Sequence, residues 1–242
     1  MTRTDLVPAT DLAAAAPAHW PNEPDDYRRA RTALLAEEIE LRRHIQRVAA
    51  QRRALPPGGE IPQDYAFEGR DGPIRLSELF GAHDTLILYS MMYGPGRAKG
   101  CPMCSSMLDA WNGEARHLRR RVALGVVARS PIGRILDYAA DRGWDGLDVY
   151  SDPSGDYTRD YAGRGDPDAD VPAYTIFVRD GDRIRHFCSA EGGMEIADPG
   201  QDPHMAPDLN PLWVLLDTTP GGRGTDWYPS LDYDGGRTGD AA

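Results

Sequence analysis

Two cysteines three residues apart, in Gly100-Cys101-Pro102-Met103-Cys104, stand where an apolar run hands over to a helical period. Upstream, residues 85–92 read Thr-Leu-Ile-Leu-Tyr-Ser-Met-Met, with the length and β-rich make-up of a buried strand. Downstream, Met107, Leu108, Trp111, Ala115 and Leu118 recur at three- and four-residue spacing, which is one face of a helix opened by Pro102. Unpaired N–H groups and the positive end of the dipole stabilise an anion at a helix N-terminus, and a thiolate is such an anion. Placement there lowers a cysteine pKa from about 8.5 toward roughly 3.5–7.5. Arg97 and Lys99, just before Cys101, are expected to favour its thiolate further. The pair therefore reads as reactive, and the rest of the chain as its support.

Composition narrows the class. A chain of 242 residues has ample length for one large domain with appendages. Its formal charge of −11 speaks against nucleic acid and anionic membranes as partners. No apolar run approaches the roughly 20 residues of a membrane span. Asp5 and Asp11 interrupt what would otherwise resemble a leader, so no secretory signal is expected. Only three cysteines occur, two of them in CxxC. That excludes a disulfide scaffold and fits a redox or metal pair in the cytoplasm. No cofactor motif stands out, and none is expected.

Along the chain, residues 1–24 are rich in Ala and Pro and predict a poorly ordered arm. Residues 25–59 predict an amphipathic helix capped by Asp25 or Asp26 and ended by Pro56-Pro57-Gly58-Gly59. Its apolar set is Leu34, Leu35, Ile39, Leu41, Ile45 and Val48, a stripe for docking on the domain or on a second copy in a homodimer. Residues 60–220 predict the main domain, and 221–242 a tail. Within the domain come a hairpin about Gly69-Arg70-Asp71-Gly72, a short turn capped by Ser77, and the buried strand 85–92. After the cysteine helix follow an all-apolar strand at 122–128, a helix capped by Ser130, and a short edge strand at Val149-Tyr150. Strands 85–92 and 122–128, buried on both faces, predict a parallel pair with the cysteine helix as crossover. Val171-Pro172 opens a strand that turns at Asp180-Gly181 into Arg183-Ile184-Arg185-His186-Phe187-Cys188. A long irregular loop, residues 191–211, comes next.

This order resembles a thioredoxin-like domain. The resemblance implies an α/β three-layer sandwich, a central mixed sheet with helices on both faces, here with an N-terminal helical extension. It also implies that Pro172 is cis, and that Val171 and Pro172 lie against Cys101 and receive substrate. At a finer level the chain is similar to a thioredoxin-like bacterial family catalogued as domain of unknown function eight-nine-nine. The residues carrying that likeness include Asp64-Tyr65-Ala66-Phe67, Met92-Tyr93-Gly94-Pro95, Gly100-Cys101-Pro102-Met103-Cys104-Ser105, Val127-Ala128-Arg129-Ser130-Pro131 and Leu216-Asp217-Thr218-Thr219-Pro220-Gly221-Gly222-Arg223-Gly224. Membership implies the fold and a dithiol activity toward a protein or small-molecule thiol or disulfide, with no substrate specified. Cys188 stands where members carry Tyr.

The favoured chemistry is thiol–disulfide exchange: Cys101, exposed at the helix end, attacks, and Cys104, one turn in and shielded, resolves the mixed disulfide. Three readings stay beside it. A thiol peroxidase would want a hydroxyl residue three before its reactive cysteine, where this chain has Ala98. A non-catalytic binding module would keep its function with both cysteines changed to serine. The third follows from counting outward from Asp180-Gly181, which sets Ala173 opposite Cys188. Cys188 then lies near the pair as a third thiol or a buried hydrophobe, or, with His186, completes a Cys101, Cys104, Cys188, His186 zinc set.

Overall fold

The structure, a computed structural model, describes residues 6–191, 198–199 and 210–233. Most of the expected loop at 191–211 lies outside them. The chain divides into two compact units, Met1–Pro56 and Pro57–Ala242.

The first unit is a pair of helices, α1 (Ala9–Ala14) and α2 (Asp25–Arg53). Asp25 and Asp26 in the first turn of α2 and Arg52 and Arg53 in the last complement its dipole. The N-cap is Pro24, not an aspartate. The arm expected to lack order contains α1 because Ala9 and Ala13 are small enough to bury against Ala36 and Ile39. Most of the predicted apolar stripe is not buried: Leu34, Leu41 and Ile45 are exposed.

The second unit is built on a seven-stranded sheet. Its strands are β1 (Ala66–Gly69), β2 (Gly72–Arg75), β3 (Thr85–Ser90), β4 (Ala123–Ala128), β5 (Asp148–Ser151), β6 (Ala173–Asp180) and β7 (Arg183–Ser189), in the spatial order β2-β1-β5-β4-β3-β6-β7. The helices are α3 (Leu76–Leu79), α4 (Pro102–Leu118), α5 (Ile132–Asp141), α6 (Asp156–Tyr161) and α7 (Pro211–Leu216). Strand β3 runs parallel to β4 through the crossover α4, and β4 parallel to β5 through α5. The β6–β7 hairpin adds antiparallel to β3. A parallel βαβ unit flanked by an antiparallel hairpin on its first strand is the thioredoxin-like arrangement.

All six residues of β4 are buried, because both faces of the sheet are covered. Leu124, Val126 and Ala128 meet Met107 and Leu108 of α4 and Ile135 of α5. Ala123 and Val127 point the other way, into a core with Leu76, Phe80 and Tyr157. The strand period of two sorts one apolar run between two cores.

Local expectations shift where tertiary partners compete. Val149 and Tyr150 do not form an edge strand; β5 is interior, since the β1–β2 hairpin extends the sheet past it through Glu68 and Ser151. Ser77 lies inside α3 rather than capping it, and its N–H and hydroxyl bond Asp64 at 2.9 and 2.7 Å. Ser130 does not cap α5 either. Buried, it donates its hydroxyl to the Gly94 carbonyl at 3.2 Å, and Pro131 takes the N-cap position. Among the described residues, no helix is long and apolar enough to cross a membrane.

Candidate active site

The backbone of Cys101 is held on both sides. It occupies the N-cap position of α4, with Pro102 just inside the helix, where the missing proline N–H costs no bond. Its own N–H donates to the Met92 carbonyl at 3.0 Å, and its carbonyl accepts from the N–H and the hydroxyl of Ser105, both at 2.9 Å. Ser105 and Tyr138 share a further hydrogen bond at 2.7 Å. Gly100 is required by this packing. A Cβ there would stand 2.3 Å from the Met91 methyl and 3.0 Å from the Tyr138 ring. Gly100→Ala is therefore expected to destabilise the fold by about 1–3 kcal/mol through overpacking. Chemical denaturation measures this, and an unchanged midpoint would show that Met91 swings clear at no cost.

Cys101, Cys104 and Cys188 are all thiols, none disulfide-bonded. Cys101 is 7 % exposed and Cys104 0 %. The first cysteine is thus the more accessible of the pair, but it is nearly covered instead of open. Its pKa is lowered to about 6. The main cause is a hydrogen bond from the Cys104 thiol; burial opposes it, and the backbone N–H groups of Cys104 and Met103 and the Arg97 charge assist. Cys104 moves the other way, well above the usual thiol range, because it serves as donor to Cys101, is buried, and faces the Cys101 charge. One proton shared by two sulfurs leaves a thiolate on the outer one and a thiol on the inner one.

The two cations predicted to flank Cys101 part company. Arg97 stays, its guanidinium ion-paired with Asp170 and its Nη2 3.7 Å from the Met92 sulfur. Lys99 turns outward to Asp232 at 3.0 Å, an exposed pair of little energetic weight. Asp170 has a second role, accepting from the Gly94 N–H at 3.0 Å. It thereby ties the segment leading into Val171-Pro172 to the loop before Cys101. The peptide bond between Val171 and Pro172 is not cis, since no described bond is, which corrects the expectation from the resemblance. The register puts Ala173, which follows Pro172, opposite Ser90 at the end of β3. Val171 is half-exposed.

The zinc set is not assembled: no group of three or more His, Cys, Asp or Glu among the described residues could hold a metal ion. The reason is register. The turn is Gly181-Asp182, with Gly181 at φ 63° and Asp180 opposite Arg183, not Asp180-Gly181. Phe177 then faces His186, but a bulge follows and Ile176 faces Cys188 in place of Ala173. One extra residue puts two side chains of the same strand on opposite faces. His186 turns to the Tyr161 and Phe177 rings and to Ser189 at 2.8 Å. Cys188 shares the face of Ile176, and through it of Ile87, which packs with the cysteine-helix core.

Tyr89 was not singled out by the sequence. Its hydroxyl donates to the Cys104 sulfur at 3.2 Å, with both residues buried. Its ring stands edge-on to Trp111 of α4, 5.6 Å between centroids, and Trp111 in turn meets Tyr174. A tyrosine hydroxyl inside a largely apolar, buried strand was the available signal, because such a group needs a partner.

The family model described as "Bacterial protein of unknown function (DUF899)" matches residues 17–234, and the chain belongs to that family. No curated protein matches the sequence. Similar solved structures include peroxidoxin BcpB from Mycobacterium tuberculosis, 21 % identical, covering 64 % of this chain and 94 % of that one, with a TM-score of 0.43. A mutant of PrxQ from Xylella fastidiosa is 13 % identical over 66 % of this chain and 97 % of its own, with a TM-score of 0.44. A secreted disulfide oxidoreductase of M. tuberculosis is 15 % identical over 54 % and 85 %, with a TM-score of 0.38. The fold assignment rests on the strand order and the family, not on these likenesses.

Proposed function

We propose that the protein is a thiol–disulfide oxidoreductase in which Cys101 attacks and Cys104 resolves, acting on a protein or small-molecule disulfide. The observation that carries this reading is the placement of the pair, Cys101 at the N-cap of α4 and Cys104 fully buried one turn in, which favours the thiolate of the first and the thiol of the second. Exchange requires a thiolate attacker and a second thiol within reach of the mixed disulfide. Cys101 meets the first requirement near neutral pH, and the hydrogen bond from Cys104 places the second thiol at contact. An inert buried cysteine would instead have its pKa raised, as apolar burial alone does.

The test is the pH profile of alkylation in reduced protein. Labelling of Cys101 should rise with a midpoint near pH 6, following its thiolate. Cys104 should label later and only at higher pH. Mass spectrometry across glutathione buffers should then show the two thiols lost together as one disulfide. A Cys101 midpoint above about 8, in the range of an ordinary thiol, or no Cys101–Cys104 disulfide at any poise, would sink the reading. The same shift ties stability to pH. A thiol whose folded pKa is depressed stabilises the fold most above its unfolded pKa, about 8.5. That contribution declines as pH falls from there and is gone below about 6.

A further inference from the structure

We infer that Tyr89 is a catalytic residue of the resolving step, its hydroxyl stabilising the Cys104 sulfur as that sulfur becomes the nucleophile. This rests on the exchange reading above and assigns a role that reading leaves vacant. In the resting dithiol, the Cys104 S–H donates to the Cys101 thiolate and the Tyr89 O–H donates to the Cys104 sulfur at 3.2 Å. The three groups form a relay pointing at Cys101, each bond polarising the next.

The first exchange step changes what Cys104 faces. The Cys101 thiolate attacks one sulfur of a substrate disulfide, a Cys101–substrate disulfide forms, and the other half leaves as a thiolate. Cys104 has now lost both its acceptor and the negative charge beside it. To finish, its proton passes to solvent and its thiolate attacks the Cys101 sulfur. The Cys101–Cys104 bond forms, the bond to substrate breaks, and the second substrate thiolate leaves with the electron pair. The dithiol is oxidised by two electrons and the substrate disulfide reduced by two.

A thiolate at Cys104 would arise in a fully buried site, where an unpaired charge is costly. The titratable and charged groups facing it are Cys101 on its own helix, Tyr89 from β3, and Arg97 from the preceding loop. Of these, Tyr89 donates a hydrogen bond to the sulfur, joined by the backbone N–H of Met92. The tyrosine acts as a donor and not as a base. Burial, with Cys104 beside it, pushes its own ionisation well above the usual range, so it keeps its proton throughout. Its ring is held in place for this role, because Trp111 braces it from α4, the helix that carries both cysteines.

The experiment is stopped-flow reaction of the full reduced chain with dithiobis(nitrobenzoate), in a Cys188→Ser background that removes the third thiol. One thionitrobenzoate is released when Cys101 attacks and a second when Cys104 resolves. Tyr89→Phe keeps the ring against Trp111 and deletes only the hydroxyl. It should slow the second release roughly tenfold near neutral pH and move the midpoint of its pH profile upward, the scale of a lost hydrogen bond to a charged group. The first release should change by less than about twofold, since the hydroxyl does not touch Cys101. A fluorotyrosine at position 89, a stronger donor of nearly the same shape, should speed the second release. An unchanged second phase in both variants would overturn the proposal. So would equal slowing of both phases, the pattern of a general packing defect. If the unsubstituted tyrosine protein releases only one equivalent, the exchange reading itself fails, and the role of Tyr89 with it.

Discussion

In a Cys188→Ser background, Cys101→Ser should reduce disulfide reduction to background, a loss of at least about a thousandfold, because a serine hydroxyl does not ionise near neutral pH and the remaining thiol, Cys104, is fully buried and held protonated. Cys104→Ser should behave differently. The Cys101 thiolate still attacks, but nothing resolves the product, so the protein accumulates as a mixed disulfide. Intact mass spectrometry after addition of a disulfide substrate distinguishes the two in the Cys188→Ser background, with an adduct in Cys104→Ser and none in Cys101→Ser. Cys101 in the Cys104→Ser variant also loses its main hydrogen bond, so its pKa should rise from about 6. The backbone N–H groups of the α4 start and the Arg97 charge remain, and keep it below the ordinary thiol value. Retention of a tenth or more of the exchange activity in Cys101→Ser would move the chemistry to another residue.

The largest expected effect on stability lies at the end of β5. The Asp152 side chain is fully buried and accepts four hydrogen bonds. One oxygen takes the Gly155 N–H at 3.0 Å and the Ser154 hydroxyl at 3.3 Å. The other takes the N–H and the hydroxyl of Thr158 at 2.8 and 2.7 Å. A side chain from the preceding loop thus organises the first turn of α6. Asp152→Ala would leave two buried N–H groups without acceptors and a void beside them. A loss of about 3–5 kcal/mol in urea denaturation is expected, at roughly 1–3 kcal/mol for each unsatisfied group. Asp152→Asn keeps one oxygen acceptor and should lose about half as much. A loss under about 1 kcal/mol in Asp152→Ala would mean that water or a shifted backbone replaces the carboxylate.

Local pattern determined a great deal of this protein. The continuous apolar runs at 85–90 and 123–128, the helical spacing from Met107 to Leu118, and the proline after Cys101 each act over a few residues. They suffice to place a CxxC pair at a helix start between parallel strands, and with it the low pKa of Cys101, because the Cys104 thiol that chiefly favours its thiolate and the N–H groups that assist belong to the same helix. The tertiary structure decided what depends on partners far along the chain. Whether β5 is an edge follows from a hairpin formed much earlier in the chain, through the pairing of Glu68 with Ser151. Which cation serves Cys101 depends on Asp170, which claims Arg97, and on Asp232, which draws Lys99 away. A single bulge separates Cys188 from His186, since a register slip costs little local energy yet turns side chains to the opposite face. Tyr89 is the sharpest case. In the strand it is one more large, buried residue, and only the packing of α4 across β3 brings a sulfur to its hydroxyl.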